Sequence, residues 1–360
     1  MAYYYSQYSQ GKKKKNPFRK WTTRILLLLI LAALGAGYLL YEVVSEPNIW
    51  TPNGKPVGIN IPSGTTFAEL KHDFYSRGLI IHRKSFEWWA GQKKLPKLIK
   101  PGHYIIYNGW SNNQLINLLR SGKQSPVKVT FNNVRNIYDL AGKIGRQIEP
   151  DSASLVQLLT DSAYIAKMGL NEYTIPVIFI PNTYQVYWTI TTKEFVERMY
   201  QEYLKFWNPE RRKLAKAQGL SPEQVVVLAS IVQKETNDNA EKPEIASVYL
   251  NRLNMGWRLQ ADPTVIFALR DYSIHRVLNV QKKVDSPYNT YIHRGLPPGP
   301  ICMPSISSVE AVLNPAKTDY MYFCAKDDLS GSHVFSKNSI QHMLNAKKYQ
   351  DALDKMKIYR

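Results

Sequence analysis

Hydrophobic and polar positions divide the chain into three stretches of different character. Residues 25–41 (ILLLLILAALGAGYLLY) are an uninterrupted apolar or small run, extended by Val43 and Val44. That is close to the ~20 residues a helix needs to cross ~30 Å of hydrocarbon. After it, short alternating runs and helix-period runs take turns. Residues 57–61 and 102–107 read as strands. Thr65 or Thr66 caps a helix running to about Arg77, another begins over 83–90, and 111–121 (SNNQLINLLRS) is a capped amphipathic helix. Residues 46–55, with Pro47, Pro52, Asn53 and Gly54, read as a linker off the membrane. From Pro126 the pattern predicts a strand at 127–131 and helices over 137–148, 151–159 and 161–168. It then predicts a short strand-like run at 175–180, ending at Pro181-Asn182-Thr183-Tyr184. A long charged helix over 192–218 follows, buried through Phe195, Met199, Leu204, Phe206 and Trp207. No repeat of 20 to 50 residues is present, which excludes solenoids and propellers. The expected fold class is α+β, with a single N-terminal transmembrane helix, a small α+β module and a larger mixed α+β domain.

Charge sets the topology of this arrangement. Lys and Arg number 47 against 28 Asp and Glu, a net charge of +19, which points to a polyanionic partner. No acid precedes Glu42, whereas Lys12, Lys13, Lys14, Lys15, Arg19, Lys20 and Arg24 do. A basic leader of this kind keeps the N-terminus cytoplasmic and places the rest outside the inner (cytoplasmic) membrane. Small residues at Ala33, Gly35 and Gly37 admit a cleaved signal peptide as the competing reading, but the apolar run continues beyond them. With residues after Glu46 exported, cytoplasmic DNA is out of reach and nucleic acid is set aside as a partner. Cys302 and Cys324 are expected to be free thiols, with a bridge between them the alternative in an oxidising compartment. The seven histidines form no HExxH motif and no Cys/His cluster, so no metal and no cofactor is expected.

The most informative segment is 221–237, SPEQVVVLASIVQKETN. Ser221 caps a helix with Pro222 at its first position and Gln224 completing a capping box. Residues 225–232 are apolar apart from Ser230, too continuous for a surface helix. Glu235 then falls in the last turn. A carboxylate there meets the negative end of the helix dipole in partly apolar surroundings, and both disfavour its charged form. A raised pKa suits a general acid near neutral pH, although a solvated helix end with Glu235 paired to a lysine has the same local sequence. Residues 286–301, SPYNTYIHRGLPPGPI, supply a stiff, turn-rich wall holding Tyr288, Asn289, Thr290, Tyr291 and His293. Rings, amides and hydroxyls on such a wall suit a sugar.

Seven collinear segments carry a closer resemblance: ASIVQKET at 229–236, ASVYLNRL at 246–253, LQADPTVIF at 259–267, SPYNTY at 286–291, GLPPGPI at 295–301, LNPAKTDYMYF at 313–323 and GSHVFS at 331–336. With them the chain resembles the YceG-like family of endolytic murein (peptidoglycan) transglycosylases. The resemblance implies four regions: a cytoplasmic leader at 1–20, a transmembrane helix at 21–44, a linker and LysM-like module at 45–125, and a YceG-like catalytic domain at 126–360. The family's usual Glu-Lys-Glu appears here as Gln233-Lys234-Glu235, so the carried-over catalytic residue is Glu235. Two further departures are Asn132-Asn133, where the family commonly has Glu-Gly, and Asn182, where it commonly has an acid.

The activity implied is cleavage of the β-1,4 bond between N-acetylmuramic acid and N-acetylglucosamine without water, leaving 1,6-anhydro ends. One carboxyl, Glu235, suffices for it. Gln260, Asp262, Tyr288, Asn289 and His333 are the expected substrate-groove residues. Asp262 is also the nearby candidate for the second carboxyl of a lysozyme-like hydrolase, the first alternative. A non-catalytic wall-binding scaffold is the second. The implied partners are peptidoglycan glycan strands and the inner membrane, with peptidoglycan synthases as neighbours.

Overall fold

A computed structural model describes residues 17–274 and 276–356, so most of the leader lies outside the described residues. The chain forms two compact units, Met1–Ser125 and Pro126–Arg360.

In the first unit, helix α1 (Pro17–Ser45) is apolar enough to cross a membrane over Trp21–Ser45, with a mean hydropathy of 2.1. Its leucines and isoleucines are exposed along its length, a condition that a bilayer resolves. Strand β1 (Val57–Ile61) pairs antiparallel with β2 (Gly102–Ile106), Val57 lying opposite Ile106. Between the strands come α2 (Phe67–Ser76), α3 (Arg83–Gln92) and α4 (Leu95–Leu98), and α5 (Asn112–Ser121) follows β2. Thr66 and Ser111 each close a capping box at the start of α2 and α5, satisfying backbone donors that would otherwise be orphaned. Ile59, Ile61, Leu70, Phe74, Phe86, Tyr104 and Leu115 form the module's core.

The expected linker at 46–55 is instead part of this module. Ile49 is 1% exposed and bridges to Ile80, and Pro47 bridges to Ser111. The Asn48 amide donates to Asn112 Oδ1 at 2.6 Å, and Asn48 Oδ1 accepts from the His82 amide at 2.6 Å. The prolines that suggested a linker instead mark bends in a chain held by apolar and amide contacts. Asn112 Nδ2 also donates to the carbonyl of Val43 in the last turn of α1.

The second unit opens with β3 (Val127–Phe131), then α6 (Ile137–Ile144), α7 (Ser152–Thr160) and α8 (Ser162–Ala166). Residues 175–178 form a 3-10 turn rather than a strand, because Pro176 takes a helical φ and removes a ladder donor. The strand is β4 (Asn182–Val186), at the residues read as the turn, and it pairs antiparallel with β3. The long helix expected over 192–218 is two, α9 (Thr192–Phe206) and α10 (Pro209–Ala217). Pro209 cannot continue a helix but fits the first turn of a new one, and Asn208 caps it by accepting from the Arg211 amide. Leu204, expected inside, is exposed, while Val196 and Tyr203 join Phe195, Met199 and Trp207 in the core.

At the centre runs α11 (Pro222–Glu235), with every residue from Val225 to Val232 buried. Packed on it are α12 (Lys242–Asn254), α13 (Asp262–Leu269) and α14 (Ile306–Leu313). The hairpin β5 (Tyr322–Ala325) and β6 (His333–Ser336) lies against α12, and α15 (Ser339–Lys355) covers the hairpin. The result is an α+β fold in which one helix, buried from Val225 to Val232, delivers its polar last turn to the surface.

Candidate active site

Ser230, the polar interruption in the apolar run of α11, holds the site together. Its hydroxyl donates to the Val227 carbonyl at 2.7 Å and accepts from the Ile301 amide at 2.9 Å, while its carbonyl receives Cys302 Sγ. These bonds stitch the loop over 295–303 to the helix. One turn on, Gln233 Oε1 accepts from the Ser305 amide and from the hydroxyls of Ser305 and Ser308, at 2.6 to 3.2 Å. Gln233 therefore anchors the N-terminus of α14 through its amide oxygen.

Glu235 is the last residue of α11 and lines a cavity of about 280 Å³ with Asn133, Gln233, Lys234, Thr236, Asn237, Cys302 and Met303. Burial raises its pKa from the usual carboxyl range to about 7. The Tyr249 hydrogen bond opposes the rise, Asp262 adds to it, and the Arg252 charge opposes it. Tyr249 Oη donates to Glu235 Oε1 at 2.5 Å from the buried side of α12. The second carboxyl oxygen has no hydrogen-bond partner among the described residues. Such a group can give a proton near neutral pH and take one back.

The remaining expected residues divide. Asp262 opens α13, and its Oδ1 accepts from Tyr291 Oη at 2.5 Å, so a second tyrosine-carboxyl pair stands beside the first. Gln260 is exposed, with a left-handed φ of 53°, and its amide donates to the Thr290 carbonyl. Asn289 has no exposed surface. Its Nδ2 donates to the carbonyls of Lys282 and Val284 and its Oδ1 accepts from the Tyr291 amide, so it shapes the loop from inside instead of facing a groove. Tyr288 packs its ring 4.7 Å from Phe267 and 6.3 Å from Tyr173, lining another cavity than the one at Glu235. His333 is held by Glu241, whose carboxylate accepts from the His333 amide at 2.6 Å and sits 2.9 Å from Nδ1. Thr236 Oγ1 donates to the same carboxylate, tying the residue after Glu235 to strand β6.

Several site residues carried no signal of their own in the sequence. Tyr249 and Arg252 lie in the ASVYLNRL segment without an assigned part. A tyrosine among helix core positions must find a partner for its hydroxyl, and here that partner is Glu235. Arg252 is buried, donating to the carbonyls of Met321 and Leu259. Asn133 has a left-handed φ of 47°, a conformation that asparagine tolerates better than most residues. It therefore suits the backbone position where the resemblance leads one to expect glycine. Asn182 lies at the start of β4 and does not line the Glu235 cavity. Cys302 and Cys324 are both free, and burial pushes the Cys302 thiol up to about 12. No cluster of three or more potential metal ligands occurs among the described residues.

A half-buried carboxyl stands at the end of a buried helix, with a phenol on one oxygen. The chain belongs to the YceG-like family, whose model matches residues 59–348. The endolytic murein transglycosylase of Bacillus subtilis (strain 168) is 28% identical over 335 residues, covering 88% of this chain and 91% of that protein. The endolytic murein transglycosylase of Streptococcus pneumoniae serotype 2 is 27% identical over 356 residues and 89% of this chain, which spans 64% of that relative's length. A YceG-like protein from Listeria monocytogenes, solved by crystallography, matches with a TM-score of 0.55 at 26% identity, covering 80% of this chain and 98% of that one.

Proposed function

We propose that this protein is a membrane-anchored lytic transglycosylase of peptidoglycan, cutting strands internally at the β-1,4 bond from N-acetylmuramic acid to N-acetylglucosamine. The observation that carries this reading is Glu235, a carboxyl with a pKa of about 7 that lines a cavity and takes a hydrogen bond from Tyr249 on one oxygen. The neutral acid protonates the glycosidic oxygen as the muramyl C1–O bond breaks. The resulting carboxylate takes the proton from the muramyl C6 hydroxyl, whose oxygen closes on C1. Protons balance, no water enters, and Glu235 returns to its starting state. Asp262 is not required as a base for water, and its bond to Tyr291 suits a positioning part. Helix α1 keeps the enzyme at the inner membrane, where nascent strands and the synthases that make them are within reach.

The test is mass spectrometry of purified glycan strands incubated with the full chain in detergent. Anhydro-muramyl ends that vanish with Glu235→Gln support the proposal. New reducing ends would instead mean a hydrolase, and intact strands a wall-binding scaffold. Gln233→Glu leaves activity nearly unchanged, because a carboxylate at Gln233 still accepts the Ser305 and Ser308 donors at a helix N-terminus. A large gain would move the catalytic assignment to position 233.

A further inference from the structure

The depression at Glu235 does not end there. A second one, of about 220 Å³, shares Lys234 with it, and a third, of about 430 Å³, shares Arg135, Phe267 and Tyr272 with the second. The three depressions adjoin one another in a run through these shared residues. The far end is lined by Tyr138, Tyr173 and Tyr272, which are 60%, 40% and 36% exposed. Single exposed aromatics are ordinary on protein surfaces, but three on one concave face are a platform. Behind them, Tyr288 and Phe267 provide a packed floor. Gly299 fixes the wall: a Cβ there would lie 2.0 Å from the Tyr173 carbonyl oxygen, so only glycine lets the two segments close. The Arg135 guanidinium lies 4.5 Å over the Tyr272 ring, and neither Arg135 nor Arg270, which also lines this end, takes part in an ion pair among the described residues.

We propose that this tyrosine-arginine end is a remote binding site for the glycan strand cut at Glu235. It takes sugar rings by stacking on Tyr272 and Tyr173 and meets the strand's carboxylates with Arg135 and Arg270. Aromatic faces suit the apolar faces of pyranose rings, and a guanidinium fork suits a carboxylate. Adjacency to the Glu235 cavity, through the depression that shares Lys234 with it, selects the strand as occupant, so the inference rests on the proposed function. A strand long enough to reach both ends of the run then binds better than one that fills the Glu235 cavity alone.

Binding of graded glycan oligomers to the full chain carrying Glu235→Gln tests this without any cleavage. Long strands bind more tightly than short ones, and Tyr272→Ala or Tyr173→Ala lowers the ratio of long-strand to short-strand affinity by about tenfold. Tyr272→Phe, which keeps the ring, restores the ratio. Arg135→Ala weakens muramyl strands, while chitin oligomers of the same length, which have no carboxylate, bind as before. An unchanged ratio in both alanine variants, or equal loss for short and long strands, overturns the proposal. If the unsubstituted enzyme leaves strands intact, the transglycosylase reading fails by itself, since the length dependence is measured on binding alone.

Discussion

At Glu235 the same burial that prepares an acid costs stability, and the sign can be worked out. The folded-state pKa, about 7, lies above the usual 4.5. Below pH 4.5 the group is neutral folded and unfolded, and no penalty applies. As pH rises through this window, only the unfolded chain releases its proton, so stability falls until about pH 7 and stays reduced above it. Glu235→Gln removes that penalty while keeping an acceptor for Tyr249. The variant is therefore expected to match the unsubstituted protein at pH 4 and to exceed it at pH 8 by about 2–3 kcal/mol, measured by urea unfolding. A pH-independent difference would mean that the carboxyl is not shielded. In Tyr249→Phe the hydrogen bond that favours the carboxylate is gone, and the Glu235 pKa rises further. The alkaline limb of kcat/KM should move up by about one unit, with the plateau lowered about tenfold by lost orientation. An unmoved limb would confine Tyr249 to packing. The raised pKa of Glu235 is legible in the sequence because its helix is capped, largely apolar and ends at it, whereas its proposed catalytic part rests on the family resemblance. Tyr249 was not legible, because fourteen residues and a helix reversal separate it from its partner.

Elements here are joined by a few polar atoms buried among apolar ones, and two of those joints make predictions. Ser230→Ala leaves the Ile301 amide without its acceptor and should cost about 1–3 kcal/mol. It should also speed amide exchange across the loop at residues 295–303 relative to α11, and uniform exchange would count against the stitch. Glu241→Ala strips the acceptor from Thr236 and from both His333 donors. The expected loss is about 2–3 kcal/mol, with increased proteolysis in the β5–β6 hairpin as the local readout. Elements marked by caps and period were read well, as β1, β3, α5 and α11 illustrate. Those set by tertiary partners were not. Strand β4 opens with Asn182, a poor strand former, which pairs with β3 because its edge is there to be met, and the Thr183 and Thr130 hydroxyls lie 2.7 Å apart beside it. Pro209 was the available signal for the break between α9 and α10, outweighed by the charged run around it.

For the whole molecule, the +19 charge separates into seven cations within the first 24 residues and a net +12 elsewhere. An anionic wall polymer held by that surface should be released by salt. Co-sedimentation of the full chain carrying Glu235→Gln with intact peptidoglycan is expected to weaken steeply between low and high ionic strength, and salt-independent binding would assign retention to specific contacts alone. The division into two units falls at Ser125–Pro126, where the run of small-module patterns stops. What the sequence concealed was the absence of slack at the membrane end of the first unit. Asn48 and Asn112 splice the end of α1 directly to the folded module, so no flexible tether intervenes. With α1 seated in a bilayer, the module's stand-off height is set by the fold itself.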